Sequence, residues 1–274
     1  MMRTIVIFFR RFVFLFNDNR LVLSAAALAY NMTMTFFPLV IVLYSLLGNN
    51  YTKAMRILAF AKNLMAEETV DFLREFLSYV ALHNSTAMMI AGITVLVTSA
   101  SAAVRTLHFT VGRMQGGTRF KGLSLLVFSV LFSVLLIVGI YVGMIIMLSG
   151  REVIRQINAL LPFIDISSSW NALRFLVLAG IEFVLLWVLY AVLRKKGERY
   201  NVIPGAILSM IAMVAVSLGF SAVIGVSVRY PLVYGSLASL ILLMLWLYFS
   251  SIVIFSGAAL NICIRDSKKT GDPS

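Results

Sequence analysis

The strongest constraint on the fold is a series of long stretches without a charged side chain. No Asp, Glu, Lys or Arg occurs between Arg20 and Lys53, between Lys121 and Arg151, or between Arg199 and Arg229. A helix needs roughly 20 apolar residues to cross a bilayer core about 30 Å thick, and a helix satisfies its own backbone hydrogen bonds in lipid. We therefore predict an all-α polytopic membrane protein.

Six long apolar stretches, two of which contain an ionisable residue, predict a bundle of six transmembrane helices in one membrane domain covering residues 1–274. The predicted spans are 21–48, 87–109, 122–149, 174–194, 202–228 and 232–264, between a cytoplasmic amphipathic leader (1–20) and a cytoplasmic tail (265–274). Apolar residues at helical spacing in the outer loops predict additional short amphipathic helices there. They are Met55, Leu58, Ala61 and Met65, then Val70, Leu73, Leu77 and Val80, and in the third loop Val153, Ile154, Ile157, Leu160 and Leu161, where Pro162 follows.

The basic residues orient these spans, because short cytoplasmic loops retain Lys and Arg. The side that holds both termini has fourteen basic residues and four acids, a net charge of +10, and the opposite side has a net charge of +2. Arg105 and Glu182 lie within spans and cancel, which accounts for the total of +12. Both termini are therefore predicted to be cytoplasmic.

The basic leader, with Arg10 and Arg11 among apolar residues, is typical of a helix lying on an anionic leaflet. A signal peptide is the competing interpretation, since Ala27 to Ala29 resembles a cleavage site, but the apolar run continues to Gly48. We expect the bilayer and its anionic phospholipid headgroups to be partners of this side of the protein. The residues predicted to contact anionic lipid are Arg10, Arg11, Arg113, Lys121, Arg194, Lys195 and Lys196.

Two ionisable residues stand apart because they fall inside predicted spans. Glu182 lies near the middle of the fourth span, where an ionised carboxylate costs several kcal/mol unless it is paired, hydrated or protonated. It predicts a polar pathway, or else one structural hydrogen bond between helices. Arg105 lies near the predicted inner end of the second span, where its long side chain can reach the interface.

Polar residues in the first span extend this candidate pathway. Tyr30, Asn31 and Thr35 precede Pro38, which frees a backbone carbonyl one turn earlier. Polar backbone at membrane depth is tolerated where it is buried or hydrated. Small residues elsewhere indicate close helix packing rather than a pore. The residues predicted to serve such packing are Ser217, Ser221, Gly225, Gly235 and Gly257.

Catalysis finds no support in the sequence. There is one cysteine, Cys263, and the two histidines, His83 and His108, are not at the spacing of zinc ligands. Nucleophile elbows, P-loops and dinucleotide-binding glycine motifs are missing. The basic rim would meet lipid headgroups before RNA. We therefore expect no enzymatic activity, metal, cofactor or nucleic-acid partner.

Motifs in three of the predicted spans resemble the YihY/virulence factor BrkB family. The first span (Leu21 to Gly48) has an A-L-A-Y start and an F-P pair, the fifth begins with P-G-A at Pro204, and the sixth contains Y-G-S-L-A from Tyr234, L-W-L-Y from Leu245 and G-A-A-L-N from Gly257. Ala259 stands where the family commonly has Glu. The resemblance implies a bacterial inner-membrane protein of about six helices; the family's former name, ribonuclease BN, gains no support from these residues.

Two hypotheses follow. One is a transporter or lipid-translocating protein of unknown substrate, for which Glu182, Arg105 and the polar first span argue. The other is a scaffold without transport activity that docks an envelope protein through its outer amphipathic helices.

Overall fold

A computed structural model describes residues 12–13, 20–47, 50–61, 67–83, 85–160, 170–226 and 236–270. Every regular element in these ranges is helical, which confirms the predicted all-α class. The helices are α1 (Leu21–Leu46), α2 (Tyr51–Ala61), α3 (Glu67–His83), α4 (Thr86–Met114), α5 (Leu123–Leu160), α6 (Trp170–Leu193), α7 (Ile203–Val226) and α8 (Ser236–Thr270).

Six of the helices in these ranges are long and apolar enough to cross a membrane, as predicted. Less than half of each apolar stretch is buried inside the protein, and side chains such as Leu23, Leu131 and Leu218 are exposed. Lipid chains are the natural neighbours of such a surface. The stretches are Leu21–Leu46, Thr86–Met114, Leu123–Ile146, Leu176–Leu193, Ile203–Phe220 and Leu240–Ser267.

Helix α5 is longer than a bilayer crossing requires. Its 38 residues correspond to about 57 Å at 1.5 Å per residue, against a hydrocarbon core of about 30 Å. The sequence pattern from Val153 predicts a separate amphipathic helix in the third loop, but the backbone continues as helix through Ser149 and Gly150 to Leu160. The third transmembrane helix therefore extends beyond the core at its C-terminal end.

Helix α8 is at the centre of the bundle. It packs against α7, α1, α3 and α4, while α1 packs most extensively against α4. Helix α5 contacts both α4 and α6. The largest buried cluster joins α1, α4, α6, α7 and α8 near the ends that carry the basic loops, and includes Leu28, Val104, Leu189, Ala206 and Phe255.

The short outer helices α2 and α3 pack on the bundle through their apolar stripes. Leu77 and Val80 of α3 form a buried cluster with Ala54 of α2 and Tyr44 of α1. Helix α3 also contacts α8. The predicted stripe is thus occupied by contacts within this chain, and the exposed apolar side chains of α3 include Tyr79 and Leu82.

Candidate functional site

Glu182 lies on the face of α6 that packs against α5. Leu178 precedes Glu182 by four residues and Leu185 follows it by three, so the three side chains share one helix face. A Cβ added to Gly143 of α5 would lie 3.3 Å from Leu178, and one added to Gly139 would lie 3.0 Å from Leu185. The two glycines therefore bring α5 close to α6 on either side of Glu182.

The carboxyl group of Glu182 is not neutralised by its described neighbours. Its Oε1 atom is buried and has no hydrogen-bond partner among the described residues. An unpaired carboxylate in such a place costs several kcal/mol, so the group either carries a proton or is reached by water. This combination of depth and missing partner makes Glu182 the chemically most distinctive residue of the spans.

Arg105 lies deeper than its sequence position suggested. Helix α4 continues to Met114, so Arg105 is nine residues, or about 14 Å, from the helix end. Glu182 is eleven residues, or about 16 Å, from the end of α6 at Leu193. The two charged residues thus lie at similar depths, but no ion pair or hydrogen bond joins them.

The polar residues of α1 divide into two groups. Asn31 is half-buried and donates a hydrogen bond from Nδ2 to Thr106 Oγ1 at 3.0 Å, beside Arg105 on α4. Thr35 donates its hydroxyl to the carbonyl of Asn31 at 2.7 Å. Tyr30 is 54% exposed and faces away from this contact, whereas Pro38 is buried within the helix.

A buried hydrogen-bond network joins α6, α7 and α8 about two turns after Glu182 along α6. The hydroxyl of Tyr190 donates to the carbonyl of Ile254 at 2.7 Å and lies 2.8 Å from Ser209 Oγ. Ser209 in turn donates to the carbonyl of Val253 at 3.2 Å. Tyr190 and Ser209 were not predicted as site residues, because a single polar residue in an apolar helix does not indicate which residue of another helix it contacts.

The P-G-A and G-A-A-L-N motifs meet at one crossing of α7 and α8. Asn261 accepts from the backbone N–H of Gly205 at 2.8 Å and donates to the carbonyl of Val202 at 3.1 Å. A Cβ on Gly257 would lie 2.6 Å from the carbonyl oxygen of Gly205. The motifs thus hold two backbones in close contact. Ala259 nearby is fully buried.

Of the other residues predicted to serve helix packing, Ser217 is buried and accepts from the indole of Trp246 at 3.4 Å. Ser221 and Gly225 belong to α7, but their side-chain surroundings are outside the described part. Gly235 lies outside the described residues altogether.

The basic end of the bundle is tied together through Gln115 and Tyr200. Gln115 donates to the carbonyl of Leu193 at 3.2 Å and accepts from the N–H of Lys195 at 2.8 Å and from the hydroxyl of Tyr200 at 3.3 Å. The guanidinium of Arg265 lies 5.6 Å from the centre of the Tyr200 ring and pairs with Glu198 at 2.6 Å. Burial raises the pKa of Tyr200 to about 12.

The residues predicted to contact anionic lipid have different surroundings. Arg113 donates to Ser24 Oγ at 2.8 Å, and Arg194 donates to the carbonyl of Tyr200 at 2.8 Å. Lys121 and Lys196 are exposed, and Lys195 is half-buried. Arg10 and Arg11 lie outside the described residues.

No cluster of His, Cys, Asp or Glu that could hold a metal ion occurs within the described ranges. His108 is buried and its Nε2 lies 3.0 Å from the carbonyl of Phe120. Its ring contacts Phe109, Phe120 and Phe128, so it belongs to the packing of α4 against α5 and the preceding loop.

Comparison with known proteins matches residues 13–274 to the family described as "Virulence factor BrkB". The "Putative ribonuclease-like protein YfkH" of Bacillus subtilis (strain 168) is 30% identical over 146 residues, which are 53% of each chain. A "UPF0761 membrane protein" of Histophilus somni (strain 2336) is 23% identical over 280 residues, covering 98% of this chain and 94% of the relative.

A "UPF0761 membrane protein" of Xanthomonas campestris pv. campestris (strain B100) is 27% identical over 255 residues, covering 89% of this chain and 57% of the relative. The matches to the Bacillus and Xanthomonas proteins thus span little more than half of those proteins. No solved structure matches this chain.

Proposed function

This chain belongs to the virulence factor BrkB family of membrane proteins, and we propose that it is a transporter whose route across the bilayer passes Glu182. The transported species is a solute or a lipid. The sequence-based resemblance to the family is confirmed by the match over residues 13–274.

The observation that carries the proposal is the buried Oε1 atom of Glu182, which has no described hydrogen-bond partner. Intramembrane ionisable residues usually face a bundle interior or a hydrated route and take part in proton or substrate movement. A carboxyl used only for packing would gain a hydrogen bond from a neighbouring helix. Glu182 instead keeps acceptor capacity that a proton, a water or a polar substrate can use.

Arg105 and Asn31 support the proposed route with polar groups on α4 and α1. Arg105 has no ion-pair partner among the described residues and lies at a depth similar to that of Glu182. The contact of Asn31 with Thr106 adds neutral polar groups beside Arg105. Helices α4 and α6 are already in contact, and a rearrangement of one against the other that brought Arg105 to Glu182 would allow the two opposite charges to pair.

The proposed location is the bacterial inner membrane, with both termini in the cytoplasm. The short loops that follow α4 and α6 carry six basic residues and one acid, Glu198, and short loops rich in Lys and Arg are retained on the cytoplasmic side. A cysteine-labelling assay with a membrane-impermeant reagent at Lys196→Cys, in a Cys263→Ser background, would test this orientation in intact cells.

The scaffold alternative is less well supported. Leu73 and Leu77, which the sequence marks as docking positions, are buried within this chain. The Bacillus relative carries the name "Putative ribonuclease-like protein", and we propose that this chain is not an enzyme.

The test is transport into vesicles that contain the purified protein. Vesicles incubated with a bacterial metabolite extract are analysed by mass spectrometry for enriched solutes, and a fluorescent phospholipid with dithionite bleaching reports lipid movement between leaflets. We expect a signal for at least one of the two with the wild type and its loss in Glu182→Gln.

The matched control is Glu75→Gln, which removes an exposed carboxylate from α3. It should retain wild-type transport. Equal transport by the Glu182→Gln variant would remove Glu182 from the route, and the lack of any signal above protein-free vesicles would contradict transport itself.

A further inference from the structure

The described acids at the basic end of the bundle are already engaged by one arginine. Arg265 pairs with Glu198 at 2.6 Å and with Asp266 at 2.8 Å, and its own side chain is only 10% exposed. Each of these two carboxylates thus lies in direct contact with the guanidinium of Arg265. Exposed basic residues at this end are Arg20, Arg113, Arg119, Lys121, Lys196 and Arg199.

Lys195 is half-buried, unlike these residues, and the fold holds it in a defined place. Its backbone N–H donates to Gln115 Oε1 at 2.8 Å, which ties the loop after α6 to the end of α4. Its aliphatic stem lies over Gly117: a Cβ on that glycine would be 3.2 Å from Lys195 Cε and 3.6 Å from Nζ. The ammonium group has no hydrogen-bond or ion-pair partner among the residues that the structure describes.

The loop that meets Lys195 offers further donors. Arg119 is two residues beyond Gly117 and is exposed. The backbone N–H groups of Thr118 and Arg119 have no acceptor within the described ranges. The guanidinium of Arg119 lies 5.5 Å from the centre of the Phe120 ring. An ammonium group, a guanidinium and N–H groups without a described acceptor are donors that match the oxygens of a phosphate ester.

The position of these donors relative to the membrane indicates a lipid headgroup, rather than a soluble anion, as the source of the phosphate. The apolar stretches of α4 and α6 end at Met114 and Leu193, and that of α5 begins at Leu123. The loops between them therefore lie at the level of the lipid headgroups. We propose that Lys195, Arg119 and the Thr118–Arg119 backbone form a binding site for the phosphate of one anionic phospholipid. The site does not depend on whether the protein transports anything.

The test measures lipid binding to the purified full-length protein in neutral detergent by native mass spectrometry, with phosphatidylglycerol as the probe and phosphatidylcholine as the comparison. Lys195→Gln should weaken the first phosphatidylglycerol site at least about fivefold, which is the factor that one basic residue provides near an anionic surface. Arg199→Gln removes the same charge from an exposed position of the same loop and should stay within about twofold of the wild type.

The Gly117→Ala variant tests the position of the Lys195 side chain without changing its charge. The added methyl group displaces the Lys195 stem while every charge is retained, and the glycine does not have a positive φ that would resist alanine. It should weaken the same site, with an unchanged unfolding temperature to show that the fold is intact. Unchanged binding in Lys195→Gln or in Gly117→Ala would overturn the proposal.

Two further outcomes would also overturn it. Equal losses in Lys195→Gln and Arg199→Gln would indicate a diffuse layer of charge rather than a site. Full competition by millimolar inorganic phosphate would indicate a site for a soluble anion instead of a lipid.

Discussion

Asn261 of α8 closes the first turn of α7 by bonding to Gly205: its Oδ1 accepts the buried N–H of Gly205 at 2.8 Å. The first N–H groups of a helix have no partner within that helix, so each needs one from elsewhere. Here another transmembrane helix provides the cap, and the same amide donates to the carbonyl of Val202 at 3.1 Å. One side chain thus fixes the junction between α7 and α8.

Replacing Asn261 with Ala should destabilise the protein by about 2–4 kcal/mol. The buried N–H of Gly205 would lose its described partner, at about 1–3 kcal/mol, and the second hydrogen bond of the amide would cost about 1 kcal/mol more. The carbonyl of Val202 would keep its bond from the N–H of Ala206 at 3.2 Å. Thermal unfolding in detergent measures the effect. Asn201→Ala is the matched control, since Asn201 caps the N–H of Ile203 at 3.0 Å from an exposed position. Its cost should be about 1 kcal/mol. Equal costs for the two variants would contradict this assignment.

Gly257→Ala should destabilise the crossing of α7 and α8 because the new methyl group would lie 2.6 Å from the carbonyl oxygen of Gly205. The two helix backbones would have to separate, and overpacking of this kind costs about 1–3 kcal/mol. In contrast, a Cβ on Gly219 of α7 meets no atom within 4 Å. Gly219→Ala should therefore be neutral or stabilising by up to about 1 kcal/mol. The unfolding temperatures of the two variants measure this difference, and equal temperatures would contradict the close packing at Gly257.

The number of spans could be predicted because hydropathy is a local property. An apolar run such as that of α7 can be identified without knowing which helix packs against it. The end of α4 was harder: the prediction stopped at residue 109, but the helix continues to Met114, and Gly116 then takes a left-handed conformation with φ of 69°. The change of backbone conformation, rather than polarity, marks the end.

The contacts of the site depend on pairings that a single sequence does not contain. Asn31 and Thr106 are 75 residues apart, and only the packing of α1 on α4 brings them together. Arg113 looked like a residue free for lipid, but it donates to Ser24 on α1. Glu182 could be selected because an acid in an apolar span is anomalous without knowledge of its neighbours.

The ion pair between Arg265 and Glu198 should contribute far more than an exposed pair does. A double-mutant cycle with Arg265→Gln and Glu198→Gln should give a coupling free energy of about 1–3 kcal/mol, because the two groups are close and the arginine is nearly buried. The control cycle uses Arg74 and Asp71, which are 51% and 56% exposed. That cycle should give about 0.3–0.5 kcal/mol. Similar couplings for both pairs would show that burial does not strengthen the first.

Tyr200 should give the protein a loss of stability at alkaline pH. Burial raises its pKa to about 12 from an ordinary value of about 10, so the folded state holds the phenol proton more tightly than the unfolded state does. The stability from this proton is complete below about pH 10 and is lost as the pH rises through about 12. Tyr200→Phe should reduce the slope of unfolding temperature against pH in that window, whereas Tyr79→Phe, at an exposed position, should leave it unchanged.

Glu182→Leu should stabilise the protein while it abolishes transport. The side chain lies between Leu178 and Leu185 on the face that packs against α5, so leucine suits its surroundings. Removing a buried polar group without a described partner should raise the free energy of unfolding by about 1–3 kcal/mol. Glu75→Leu, at an exposed position of α3, should change it by less than about 0.5 kcal/mol. A destabilised Glu182→Leu variant would instead assign the carboxyl a structural hydrogen bond. Stability gained together with transport lost is the pattern of a residue that is retained for function at a cost to the fold.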